Sequence, residues 1–182
     1  MKKVALLGDS IRLLGYGQKV AELLGQDFNV FQPEDNCRFV KYTLRMLFEQ
    51  YENLKDCDII HWNNGLWDIC KLFDDGETFT SEEEYVENML RVAKILTGIT
   101  PKVIFATTTP VRKENPYNSN EDIDKFNSII VPELKKLGIE INDLNGLLKK
   151  DINKYICDDN IHLSEAGKEL CANQVAEYIK KL

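Results

Sequence analysis

Short apolar runs alternate along this chain with longer stretches of helical periodicity. Lys3–Leu7 holds four consecutive apolar residues after its lysine, the pattern of a strand buried on both faces. Phe28–Phe31, Asp58–Trp62, Lys102–Ala106 and Gly138–Ile141 are similar short segments, and each predicts a strand. Between them, Gly17–Leu24 reads as a helix closed by Gly25. Phe39–Leu54 spaces Val40, Leu44, Leu47, Phe48 and Tyr51 as one helical face. Ser81 and Glu84 have capping-box spacing and open a helix that runs to about Leu96. Ile123–Leu137 is helical, with Pro132 predicting a kink or restart, and Ser164 caps a last helix from Glu165 to about Lys181.

Strands that alternate with helices predict an α/β domain, a parallel sheet between two helix layers. The length of 182 residues suits one domain spanning residues 1–182, with no repeat, linker or low-complexity segment. The loop Val111–Asn120, rich in Asn and Pro, follows the fourth strand on the carboxyl edge, where such sheets place their sites.

Composition narrows the partners. A net charge of −7 argues against nucleic acid or an anionic membrane surface, since both select clustered Lys and Arg. No apolar stretch approaches the roughly 20 residues of a membrane span. The five cysteines are odd in number and form no C-x-x-C pair, so reduced thiols are expected. The first residues lack the apolar region and cleavage site of a secretion signal. The chain is therefore expected in the cytoplasm unless a signal has been removed; its oligomeric state is left open.

Two short stretches carry the candidate chemistry. Gly8-Asp9-Ser10 follows the first strand directly, and Asp159-Asn160-Ile161-His162 precedes the last helix. A serine hydroxyl becomes a useful nucleophile only beside a base that a third group orients. Ser10, at a strand-to-helix turn, is the candidate nucleophile, and nearby backbone N–H groups could stabilise an oxyanion. Of the two histidines, His162 lies in a polar loop with Asp159 three residues earlier, close enough to orient it through a tight turn. His61 alternates with Ile60 and Trp62 in an apolar strand and reads as a packed core histidine. Gly-Asp-Ser alone is a common turn, and Asp-x-x-His alone is weak; the pair together is the signal.

Gly8-Asp9-Ser10-Ile11 resembles the first block of the GDSL/SGNH hydrolases, and Asp159-Asn160-Ile161-His162 resembles their last. The resemblance spans the whole chain. It implies a flavodoxin-like three-layer α/β/α sandwich, with five parallel strands in the order 2-1-3-4-5. It further implies Ser10 as nucleophile, His162 as base and Asp159 as orienting acid, with no metal or cofactor. The implied substrate is a small-molecule ester or acylated carbohydrate with a short acyl group, such as O-acetyl on a sugar.

The middle blocks depart from the family pattern. Where the third block has Gly-x-Asn-Asp, this chain has Gly65-Leu66-Trp67-Asp68, so Trp67 fills the place of the oxyanion asparagine. Asn64, or else Asn63, is the expected replacement, and Trp67 is expected to wall the substrate pocket beside Gly65. The second block has no glycine. Cys37 stands where acetyl-esterase-like members have one, so the N–H of Asn36 or Cys37 is the expected donor alongside that of Ser10, with Arg38 as a substrate contact. Asp9 is expected to cap local N–H groups at the pocket's edge, and Thr108 to line it from the fourth strand.

Other classes fit less well. A receiver domain wants a Lys after the fifth strand, where Ile141-Asn142-Asp143-Leu144 stands. A dinucleotide fold wants a third glycine that Gly15-Tyr16-Gly17-Gln18-Lys19-Val20 lacks, and the α/β-hydrolase elbow needs a Gly where Arg12 is found. The altered third block keeps one rival open: a domain of the same family with reduced activity that binds a carbohydrate or a protein.

Overall fold

The computed structural model describes all 182 residues. Five strands form one parallel sheet in the order β2-β1-β3-β4-β5: β1 Lys2–Leu7, β2 Phe28–Phe31, β3 Ile59–Trp62, β4 Val103–Ala106 and β5 Glu140–Asn142. Val4 stands opposite Val30 on one side and Ile59 on the other, and His61 opposite Ile104, so the apolar runs align across the sheet. The central strands are buried on both faces, which is why they read as continuous apolar runs.

The helices are α1 Gly17–Leu24, α2 Val40–Glu49, α3 Tyr51–Leu54, α4 Leu66–Ile69, α5 Glu82–Ile99, α6 Asn120–Lys136, α7 Leu144–Leu148, α8 Ile152–Tyr155 and α9 Glu165–Lys181. Helix α1 packs on α9, whereas α2 packs on α5 and α5 on α6, giving the two outer layers. Forty-three buried apolar residues form one contiguous core between them. No helix is long and apolar enough to cross a membrane.

The boundaries follow local chemistry. The Ser81, Ser119 and Ser164 side chains accept the N–H of Glu84, Asp122 and Gly167 and start α5, α6 and α9. Gly25 ends α1 at a φ of 65°. Helix α6 does not break or restart at Pro132. The proline sits on the exposed face, so water can satisfy the Ser128 carbonyl that its ring leaves unpaired. The pattern expected over Phe39–Leu54 divides at Gln50 into α2 and α3. A π-helical turn at Ile11–Tyr16, and the short helices α4, α7 and α8, were not visible in the hydrophobic pattern.

One glycine combines a positive φ with a steric clash. Gly65, between β3 and α4, has a φ of 148°, and a Cβ there would overlap Thr108 Oγ1. Gly98, in contrast, lies on the exposed side of α5 with open space around it. Gly65→Ala should therefore cost about 1–3 kcal/mol, while Gly98→Ala should add about 0.5–1 kcal/mol. Urea unfolding of the two variants checks this pair; equal stabilities would contradict it.

Candidate active site

The loops at the carboxyl ends of β1, β2, β3 and β4 meet the loop before α9. Ser10 follows β1 as the chain turns into the π-helical segment. His162 stands in a loop closed by an antiparallel bridge between Ile156 and Leu163, with the Cys157 N–H on the His162 carbonyl at 2.7 Å. Arg112, from the loop after β4, grips the same loop. Its guanidinium donates to the carbonyls of Asn153 and Ile156 and pairs with Asp158 at 2.8 Å. The Arg112 N–H meets the Asn160 carbonyl at 3.1 Å.

These supports bring Ser10, His162 and Asp159 into series. Ser10 Oγ lies 3.0 Å from His162 Nε2, and His162 Nδ1 lies 2.8 Å from Asp159 Oδ2. With its proton on Nδ1, the imidazole donates to Asp159 and presents a lone pair to the hydroxyl. The other Asp159 oxygen accepts the N–H of Ile161 at 3.1 Å and of His162 at 2.9 Å. Partial burial alone would lift the Asp159 pKa, but these N–H groups and the imidazole hold it below the ordinary carboxyl value. The carboxylate is thus fixed as an anion. Ser10 is 9% exposed, and the His162 side chain keeps 34% of its surface in water, so the series opens at the molecular surface.

The expected oxyanion donors divide. The Ser10 N–H bonds to no group of the protein. The Cys37 N–H does not face the site as expected: it donates to the Gly8 carbonyl at 3.1 Å and prolongs the pairing of β1 with the β2 side. The Asn36 N–H is likewise spent, on Asp35 Oδ1 at 2.7 Å. Asn63 spans two buried groups, accepting from the Tyr16 hydroxyl at 2.8 Å and donating to Asp9 Oδ1 at 2.9 Å. Asn64 Oδ1 accepts from Trp62 Nε1 at 2.6 Å and lies 2.9 Å from the Thr43 hydroxyl. Asn64 Nδ2 donates one hydrogen to the Arg38 carbonyl, which leaves its second amide hydrogen without a protein acceptor.

Asp9 caps a local N–H as expected, but neither it nor Thr108 lies at an open pocket edge. Asp9 is 1% exposed and faces inward, its Oδ1 taking the Ile11 N–H and the Asn63 amide. Thr108 is also buried; its hydroxyl donates to the Asn64 carbonyl, and its backbone is clamped on both sides by the Asn127 amide. Both are turn-holding residues because the strand ends they occupy are covered. Arg38 is half-exposed at a φ of 48°, its guanidinium 4.6 Å above the Tyr42 ring and 3.7 Å from Asp35. Trp67 is 43% exposed on α4. Asn118 Nδ2 bonds the Leu66 carbonyl and the Lys71 N–H bonds that of Tyr117, so the exposed Tyr117 stands on the neighbouring loop. His61 is the core histidine expected, with Nε2 3.2 Å from Asn142 and a pKa that burial lowers to about 3.

Residues that sequence reasoning passed over do much of the positioning: Arg12, Tyr16, Thr43 and Arg112. Their partners are main-chain carbonyls and asparagine amides, which no side-chain spacing announces. Asp68 matches its family block but proves to be fully buried, accepting the Val40 N–H at the start of α2 and the Thr80 hydroxyl.

No known family profile matches this chain, and no curated protein does. Solved structures do. A lipase/acylhydrolase from Enterococcus faecalis superposes with a TM-score of 0.82 at 18% identity, covering 100% of this chain and 96% of its own. A GDSL-like lipase from Bacteroides thetaiotaomicron gives 0.77 at 17%, covering 99% and 88%. An acetylxylan esterase from Geobacillus stearothermophilus gives 0.75 at 17%, covering 98% and 94%. The fold is therefore that of the GDSL-like hydrolases over the full chain, as the resemblance in the first and last blocks implied.

The buried Asp68 makes stability depend on pH in a defined direction. Burial lifts its pKa to about 7, above the roughly 3.9 of an unfolded aspartate. A native state that binds the proton more tightly is favoured at low pH, and this contribution is lost as pH rises from about 4 through 7. Relative to Asp68→Asn, the wild type should lose on the order of 3 kcal/mol between pH 4 and pH 7. Urea unfolding across that range measures the difference, and a pH-independent gap would show that Asp68 is ionised at little cost.

Proposed function

We propose that the protein is a serine ester hydrolase of the GDSL/SGNH type, its 182 residues acting as one domain, on short acyl esters such as O-acetyl groups of a carbohydrate. The observation that carries this reading is the unbroken series from Ser10 Oγ through the His162 ring to Asp159, at 3.0 and 2.8 Å. Ser10 Oγ attacks the ester carbonyl as His162 Nε2 takes its proton. The imidazolium that forms is stabilised by the Asp159 carboxylate, and it returns the proton to the departing alkoxide. A water molecule then repeats the sequence on the acyl-enzyme and frees the acid. No metal or cofactor takes part in these steps.

The Ser10 N–H and the spare amide hydrogen of Asn64 receive the charge on the carbonyl oxygen, in place of the family's third-block asparagine. Trp67, beside the Gly65 turn, offers an aromatic face to the alcohol moiety, and Arg38 a charged rim. Two of the structural neighbours are described as acetyl xylan esterases, which accords with a sugar ester. All five cysteines are unpaired, in keeping with a reducing compartment such as the cytoplasm.

One observation favours the rival reading, a binding domain with reduced activity. With the Cys37 N–H spent on Gly8, the oxyanion site lacks the donor expected from the second block. Hydrolysis of p-nitrophenyl acetate separates the two. The wild type should exceed Ser10→Ala clearly, and a fluorophosphonate should label the wild type alone; equal background rates would favour the binding domain.

Removal of one oxyanion donor costs about 10²–10³ in kcat. Asn64→Ala should lower kcat by that order with little change in KM, and an unaltered kcat would remove Asn64 from the mechanism.

A further inference from the structure

Arg12 is the only buried cation of the chain, at 1% exposure, and the hydrolytic steps above make no use of it. All its hydrogen bonds go to main-chain carbonyls. Nη2 donates to the Gly8 carbonyl at 3.2 Å and to that of Asp35 at 2.9 Å, and Nη1 to that of Pro33 at 2.9 Å. Gly8 is two residues before the nucleophile. Pro33 and Asp35 belong to the loop after β2, which continues through Cys37 and Arg38 to α2. The Gly8 carbonyl is also the acceptor of the Cys37 N–H, and the Gly8 N–H lies 3.2 Å from Cys37 Sγ. A Cβ at Gly8 would overlap Asn63 Oδ1 and one at Gly17 would overlap Gln32 Oε1, and each would also crowd the arginine stem.

We propose that Arg12 is a positioning residue of the hydrolytic site: its guanidinium fork fastens the Ser10 turn to the loop after β2, and so sets the spacing of the Ser10 N–H from the groups that face it. The reasoning is geometric. The β1 end and the β2 loop share only one main-chain hydrogen bond at this level, from Cys37 to Gly8. The fork adds two contacts across the same gap, to the Pro33 and Asp35 carbonyls, while its third bond holds the Gly8 carbonyl on the near side. Only arginine does this, because its donors diverge in a fixed plane, whereas a lysine ammonium reaches one or two acceptors from a flexible stem. The proposal concerns positioning alone, and its effect on rate rests on the hydrolase reading.

Arg12→Lys tests it, because it keeps the charge and loses the fork; Arg12→Met loses both and serves as the comparison. Three measurements are made on the full chain: hydrogen exchange of the Cys37 amide, kcat and KM for p-nitrophenyl acetate, and inhibition by a small alkylboronic acid, whose serine adduct mimics the tetrahedral intermediate. Arg12→Lys should fold cooperatively. Its Cys37 amide should exchange about tenfold faster or more while the amides of β3 keep their protection. Its kcat should fall by about 10–100-fold, the scale of a small misplacement of reacting groups, with KM within about twofold, and boronate affinity should fall in parallel. A folded Arg12→Lys with wild-type kcat, boronate affinity and Cys37 exchange overturns the proposal, as does a loss of stability with no change in these three. If the wild type and Ser10→Ala hydrolyse at the same background rate, the hydrolase reading fails, and Cys37 exchange still decides whether Arg12 joins the two loops.

Discussion

The requirement that buried polar groups find partners governs the carboxyl edge of this sheet. The β1 and β3 turns and the start of α2 meet under cover, yet they carry Asp9, Arg12, Thr43, Asn63, Asn64 and Asp68, all buried. Each is bonded to a neighbouring segment. Asn63 joins Asp9 to Tyr16, Asn64 joins Trp62 to Arg38, and Asp68 holds the first N–H of α2. Leaving such a group unpaired costs about 1–3 kcal/mol, more when it is charged, so the turns are held in one arrangement. Ser10 Oγ rests on that rigidity, because a hydroxyl at the tip of a loose turn would not stay within hydrogen-bond reach of His162.

The His162 side of the site is built differently. Its loop lies nearer to water and is held by main-chain pairing across Ile156 and Leu163 and by the Arg112 guanidinium. Asp159 stays an anion through N–H donors from its own turn. A covered, networked Ser10 turn thus faces a partly solvated His162. That division suits the proposed hydrolysis, in which proton acceptor and water must both be accessible while the serine must not move.

Two arginines, Arg12 and Arg112, serve this architecture through carbonyl acceptors. Both read in the sequence as ordinary charged residues within a turn and a loop. Asp68, legible in the sequence only as part of the third block, is likewise enclosed. Burial inverts the meaning of such residues, and burial depends on which segments cover them.

Much of the fold was legible in the chain because its signals are local. Apolar runs bounded by Gly, Pro or polar residues marked the five strands, and serine caps marked α5 and α9, whereas the Ser119 cap of α6 emerged only in the structure. The two candidate stretches at Ser10 and at Asp159–His162 were visible because a strand end and a helix start are themselves local features. The particular hydrogen bonds were not. That the Cys37 N–H turns to Gly8, that Asp9 and Thr108 face inward, and that Asn63 and Asn64 each give one amide hydrogen to the protein and keep the other all follow from where distant loops come to rest. The sequence by itself determined which segments become strands and helices and which residues can carry the chemistry. Only the tertiary structure decided which N–H groups and amides are left free to use, because a hydrogen bond depends on distance and direction between segments far apart along the chain.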